Sequence, residues 1–177
     1  MEHGFVLLVA HATVDLGSLL HHLECCPPIS EWDWMPHLQP DKLRRLILLH
    51  AGAFGDLVRS ICSSAMSNVL GRRKGTDDVP LYKPSCIATM PGAADQVIHR
   101  DVPTEDSFSI IIAFHCRVVT ISGRDVRMSP GDTLVFDASR EHFGRGLLEG
   151  APHPCVAAHA YAGRGVQVAD LSNTYEP

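Results

Sequence analysis

Residues 128–146 read MSPGDTLVFDASREHFGRG, and the fold turns on how they are read. Ser129-Pro130-Gly131-Asp132 has the composition of a tight turn, Thr133 to Phe136 that of a short strand, and the residues after it that of a second brief connection. The segment then delivers His142. A turn, an apolar strand and a histidine just past it form the pattern by which antiparallel strands carry ligands to the mouth of a barrel.

Runs of the same kind lie on both sides. CIATM (86–90), QVIH (96–99), FSIIIAF (108–114), RVVTIS (117–122), DVRM (125–128), DTLVFD (132–137) and CVAAHAY (155–161) are short, β-rich and separated by Gly, Pro and Asp. Such punctuation predicts an antiparallel sandwich or barrel, with ISGRDVRM (121–128) as a hairpin turning at Gly123. Before residue 84 the spacing changes. In DKLRRLILLH (41–50) Leu43, Leu46 and Ile47, and in GDLVRSICSSAMSNVL (55–70) Leu57, Ile61, Ala65 and Val69, recur at helical intervals, with Asp41 and Asp56 as starts. A further helix is expected over Thr13 to Leu23, ended by Pro27-Pro28, while GRRKGTDDVP (71–80) reads as a polar linker. The expected architecture is α+β: a mainly helical support region, residues 1–83, and a β-barrel core, residues 84–177, in one compact domain.

Composition narrows the function. A chain of 177 residues, 45% hydrophobic, is long enough for a proper core without staples. A net charge of −5, with Arg72-Arg73-Lys74 as its longest basic run, gives no field for nucleic acid. The six cysteines show no CxxC pair and are expected to be reduced thiols, mostly buried, with the adjacent Cys25 and Cys26 poorly placed to bridge each other. Phe5 to Ala10 is too short for a signal peptide core or a membrane span, so a soluble, cytoplasmic protein is expected.

The polar segment His99-Arg100-Asp101 invites three readings: a kinase catalytic loop, half of a metal site, or a polar turn. A kinase needs an Asn five residues after the Asp, a Gly-rich loop and a later Asp-Phe-Gly; position 106 is Asp and the other parts are absent. A metal site fits better. In His99-x-Asp101 the two side chains project to the same side of an extended chain, and His142 supplies a third ligand. Two histidines and one carboxylate leave positions open on an octahedral Fe(II). The remaining histidines, His115, His153 and His159 among them, read as packed or solvated residues in a chain with eleven. Gln96 either lines the site or faces solvent, Tyr82 and Thr89 read as sheet residues, and the aromatic pair of EWDWMPH (31–37) as packing against the barrel.

The order Gln96-x-x-His99-x-Asp101, then SFSIIIAF, then MSPGDTLVFDASREHFGRG, then AAHAY resembles the Fe(II)/2-oxoglutarate-dependent dioxygenases, particularly their phytanoyl-CoA and prolyl-hydroxylase-like branches, over about residues 84–163. The resemblance implies a double-stranded β-helix, or jelly roll, of cupin-like form. It implies His99, Asp101 and His142 as iron ligands, with no further catalytic residue, and 2-oxoglutarate as a co-substrate whose oxidative decarboxylation is coupled to hydroxylation. The implied partners are dioxygen and a small-molecule or protein substrate. The family usually carries an Arg about ten residues after the distal His, on the next strand, paired with the far carboxylate of 2-oxoglutarate; with GAPHPCVAAHAY (150–161) aligned on its final His-x-Tyr, Ala157 falls in that place. The replacement cations are Arg117, then Arg145 or His153. The alternative from another class is a cupin-like metal- or ligand-binding module without oxygenase activity; an isomerase or thiol dioxygenase on the same barrel would use more histidines and no His-x-Asp.

Overall fold

A computed structural model of the chain describes residues 4–9, 43–48, 53–70, 81–101 and 107–163. Among these lie strands β1 (Phe5–Leu8), β2 (Arg44–Leu48), β3 (Leu81–Thr89), β4 (Ser107–Ala113), β5 (Arg117–Ile121), β6 (Arg124–Met128), β7 (Thr133–Asp137), β8 (His142–Gly144) and β9 (Cys155–Gly163), and one helix, α1 (Ala53–Leu70). The expected helix at Thr13–Leu23, the EWDWMPH pair, Cys25-Cys26 and the 71–80 linker lie outside the described residues.

Six strands form one antiparallel sheet in the order β1-β7-β4-β9-β3-β2, and three form a second in the order β6-β5-β8. The two sheets share one interior. Ile111 and Ala113 of β4, Leu134 and Phe136 of β7 and Ala157 of β9 meet Val119 and Ile121 of β5 and Val126 and Met128 of β6. Because successive side chains of a strand point to opposite faces, the alternate residues face outward. Ile110, Ile112, Val135, Val156, Ala158, Ala160 and Ala162 pack under Val58, Ile61, Cys62, Ala65 and Met66 of α1. Burial on both faces leaves β9 without a solvent-facing side, with all nine of its residues buried.

The first region is corrected in two places. The stretch expected as a helix from Asp41 contributes β2, paired antiparallel from Arg44↔Thr89 to Leu48↔Ser85 on β3, and Phe5–Leu8 adds β1 at the opposite edge beside β7. A short apolar run fits a buried strand as well as a helix, and a partner strand decides between them. The helix expected over 55–70 is present and starts three residues before Asp56. Its buried stripe runs through Val58 and Met66, so that Leu57 is 40% exposed.

Two turns set the register that matters for the site. Ser122 and Gly123 have φ of 48° and 77°, the two positive values of a two-residue hairpin turn that matches the strand twist. In Ser129-Pro130-Gly131-Asp132 the φ of Gly131 is 89°, the Asp132 N–H donates to the Ser129 carbonyl at 3.0 Å, and the Ser129 N–H donates to the Asp132 carboxylate at 2.8 Å. QVIH is not a strand: it meets β8 through one bridge, His99↔His142, and the Gln96 N–H to Gly144 carbonyl bond of 3.0 Å. No helix among the described residues is long and apolar enough to cross a membrane. Cys62, Cys86, Cys116 and Cys155 are free thiols, the third of them exposed.

Candidate metal centre

The bridge that joins the 96–101 segment to β8 also builds the site. The His99 N–H donates to the His142 carbonyl at 3.0 Å and the His142 N–H to the His99 carbonyl at 2.8 Å, so the two histidines lie directly opposite each other, with ring centroids 4.4 Å apart. Asp101 is fixed by its own N–H, which donates to the carbonyl of Ala138 just beyond β7 at 3.1 Å. One ligating atom each from His99, Asp101 and His142 lies within 4.8 Å of the others. Atoms about 2.1 Å from a common ion stand about 3 Å apart at right angles and about 4.2 Å apart when opposite. His142 Nε2 lies 3.2 Å from Asp101 Oδ2, which suits the first case, while His99 Nε2 lies 3.7 Å from Asp101 Oδ1, between the two.

Both rings are oriented by their own backbone. His99 Nδ1–H donates to the Val97 carbonyl at 2.7 Å, and His142 Nδ1–H to the Arg140 carbonyl at 3.0 Å. A carbonyl accepts only, so these bonds put a proton on Nδ1 of each ring and turn Nε2 toward Asp101 as the atom that can meet an ion once it gives up any proton of its own. The Phe136 and His142 rings meet in a T-shaped pair with centroids 4.7 Å apart, and the imidazole is buried.

Burial raises the cost of a charged Asp101, but the charge and hydrogen bond of His142, with those of His159, hold its carboxyl well below the ordinary carboxylate range. Burial likewise opposes a charged His142, and the Asp101 carboxylate overcomes it to push that imidazole above its usual value. The arrangement is a buried carboxylate faced by two imidazoles, a set of mixed N/O ligands that suits a divalent cation.

The remaining expected residues divide. Arg117 lies on the interior side of β5, alternating with Val119 and Ile121; its Nε is buried with no hydrogen bond among the described residues, and burial lowers the guanidinium from its usual value, with Cys155 on β9 opposing. Gln96 is half-buried and accepts the Gly144 N–H through Oε1 at 2.7 Å. A Cβ on Gly144 would stand 2.6 Å from that oxygen and 3.2 Å from Arg117 Nη2, so the bare glycine makes room for both groups. Arg145 is turned to the surface, bound to Asp95 at 2.8 Å and Asp125 at 3.1 Å and stacked on Phe143 at 5.0 Å. His153 is exposed in the loop before β9, with its ring 6.1 Å from that of His115. His115 in turn accepts the Val156 N–H at 3.2 Å. Ala157 is buried between Ile87 and Ala113 on the flanking strands, and Thr89 is a buried sheet residue opposite Cys155.

Sequence reasoning passed over three residues of the site. Ser109, His159 and Tyr161 all reach the Asp101 carboxylate. The alternation in FSIIIAF and CVAAHAY places 109, 159 and 161 on one face of paired strands, and that signal identifies them once β4 and β9 are known to be neighbours.

No family model matches the sequence, and no curated protein matches it. Among solved structures, HygX from Streptomyces hygroscopicus with nickel, 2-oxoglutarate and hygromycin B bound superposes with a TM-score of 0.68 at 10% identity, over 92% of this chain and 84% of that one. A prolyl hydroxylase from Trichoplax adhaerens, in complex with a hypoxia inducible factor degradation-domain peptide, gives 0.60 at 10% identity over 91% and 84%. A Pseudomonas putida prolyl-4-hydroxylase gives 0.57 at 15% identity over 93% and 94%. The chain therefore has the fold of the 2-oxoglutarate- and Fe(II)-dependent oxygenases, with a His-x-Asp and distal His brought together in its barrel.

Proposed function

We propose that this protein is a non-haem Fe(II) dioxygenase that couples decarboxylation of 2-oxoglutarate to hydroxylation of a small-molecule or protein substrate. The observation that carries the reading is the convergence of His99, Asp101 and His142, with both imidazole Nδ1 protons engaged by backbone carbonyls and the Nε2 atoms facing the carboxylate. Three ligands on one side of an ion leave three positions for other molecules, the donor set used for ferrous iron that must take a co-substrate and dioxygen together. Iron bound there would supply the dioxygen chemistry; the chain's own residues hold the ion, exclude water and anchor the co-substrate.

Arg117 is the residue we assign to that anchoring. The far carboxylate of 2-oxoglutarate needs a desolvated cation, because a buried carboxylate without a partner costs several kcal/mol. The buried Nε of Arg117, without a hydrogen bond among the described residues, fits that need. Gly144, which the guanidinium overlies, is two residues from His142 on β8, about 6.6 Å along the strand and a suitable span for a molecule with two methylenes between its ends. In this reading the cation comes from the smaller sheet and Ala157, small and facing it from β9, leaves the space. The nickel and 2-oxoglutarate held by HygX on the same fold support the same pair of ligands here.

Succinate release from 2-oxoglutarate with Fe(II) and ascorbate tests the activity. Calorimetry with 2-oxoglutarate and a redox-inert divalent metal tests the anchor: Arg117→Ala should weaken co-substrate binding at least about tenfold, or about 1.4 kcal/mol, and leave metal affinity unchanged. If Arg117→Ala binds as tightly as the native chain, Arg145 and His153 become the candidates. Ala157 favours a second reading, a metal-binding module without oxygenase activity, and that reading takes over if the native chain binds metal but not 2-oxoglutarate.

A further inference from the structure

Asp101 carries more protein contacts than a metal ligand requires. Ser109 Oγ donates to Oδ2 at 2.5 Å, and Tyr161 Oη donates to Oδ1 at 3.3 Å. Nε2 of His159, a side chain 10% exposed, faces Oδ2 at 3.5 Å. The three come from two paired strands, with Ser109 opposite Tyr161 and Ile111 opposite His159 in the register of β4 and β9, and so form one patch of the inner face. Tyr161 also packs edge-on against the His159 ring, at 4.8 Å and 78°, which restricts its rotation.

His159 differs from the other two imidazoles at the site. The set whose ligating atoms all lie within 4.8 Å of one another comprises His99, Asp101 and His142, and His159 is not in it. An imidazole nitrogen facing a carboxylate from outside the ligand set attracts it by donating an N–H, whereas a lone pair there would repel it. Burial makes the interaction count, because little water competes for the carboxylate.

We propose that His159 is a positioning residue for the metal-binding carboxylate. Its Nε2–H donates to Asp101 and, together with Ser109 and Tyr161, holds that carboxylate in one orientation. The inference rests on the metal reading above and extends it. A carboxylate with donors on both oxygens is discouraged from chelating an ion with both, so Asp101 takes one coordination position and the opposite side of the ion stays open. Removing such a donor typically costs about 10- to 100-fold in metal affinity.

The test uses the full chain and divalent cobalt alone, with affinity read by calorimetry and coordination by visible absorption. His159→Leu should weaken cobalt binding about 10- to 100-fold. His159→Gln, whose amide nitrogen falls near the position of Nε2, should bind within a few-fold of the native chain and keep its cobalt spectrum. His159→Asn, too short to reach Asp101, should behave as His159→Leu does, and it replaces that variant if the leucine chain does not fold. Native affinity in His159→Leu or His159→Asn overturns the proposal. Equal weakening in the Gln and Leu variants, with the same spectral change in both, makes His159 a direct ligand and also overturns it. Failure of the native chain to bind cobalt, with Asp101→Ala indistinguishable from it, sinks the metal reading itself and this inference with it.

Discussion

Strand β9 divides two interiors that obey different rules. Its even residues, Val156, Ala158, Ala160 and Ala162, are small and apolar and lie under α1 beside Ile110, Ile112 and Phe114, in a layer of apolar side chains. Among its odd residues, Ala157 lies in the shared interior of the two sheets, and His159 and Tyr161 are polar and reach Asp101. β4 repeats the division, with Ile110 and Ile112 on one side and Ile111 and Ser109 on the other. The helix side stabilises by burial, while the inner side gives up some of that burial to hold polar groups whose partners are one another. Chemistry and stability can therefore be separated on a single strand by the parity of the residue number.

The largest effect expected is on the inner side. Asp101→Ala should reduce divalent metal affinity by more than about 100-fold, since a ligand itself is lost rather than a residue that orients one. Thermal unfolding should still show a cooperative transition, because the core does not depend on the ligands. An unfolded Asp101→Ala chain would mean that the site is structural and that the two sides are not separable.

The helix side should respond in the opposite way. Phe114, 1% exposed, is among the largest side chains of that layer, and Phe114→Ala should cost about 3–5 kcal/mol in a urea titration. Metal affinity of the fraction that remains folded should be unchanged. A fall in affinity parallel to the fall in stability would tie the two layers together.

A change touching neither interior sets the scale. A Cβ at Gly123 meets nothing within 4 Å, so Gly123→Ala pays only for the φ of 77°, about 1–2 kcal/mol in the same titration and nothing in metal binding. The smallest effect has the reverse sign. Thr133, wholly buried, has an Oγ1 without a hydrogen bond among the described residues, and Thr133→Val should raise the unfolding free energy by about 1 kcal/mol.

Much of the inner side was legible in the chain because it is written at short range. The hairpin at Gly123 and the turn at Pro130-Gly131 are local chemistry, His142 opens β8 soon after β7, and the His99-x-Asp101 spacing is itself local. β2 was not legible, since Leu43, Leu46 and Ile47 satisfy a helical interval and only pairing with β3 selects the strand. His159 was hidden for a related reason. In a strand buried on both faces the polarity pattern no longer marks which side a residue takes, so a histidine aimed at a carboxylate looks the same as one packed in a core. Arg117 was identifiable as a cation on the right strand, but its orientation depends on the absent side chain of Gly144, twenty-seven residues later.

The strand β6 has a colloidal consequence. It is the outermost strand of its sheet among the described residues, and an outermost strand offers N–H and C=O groups to any other chain that arrives extended. Arg124, Asp125 and Arg127 stand exposed along it while Val126 and Met128 point inward. A second molecule docking there would have to strip water from charges of both signs before its first backbone bond formed. At high concentration these three side chains favour separate molecules over a continuous ribbon of sheets.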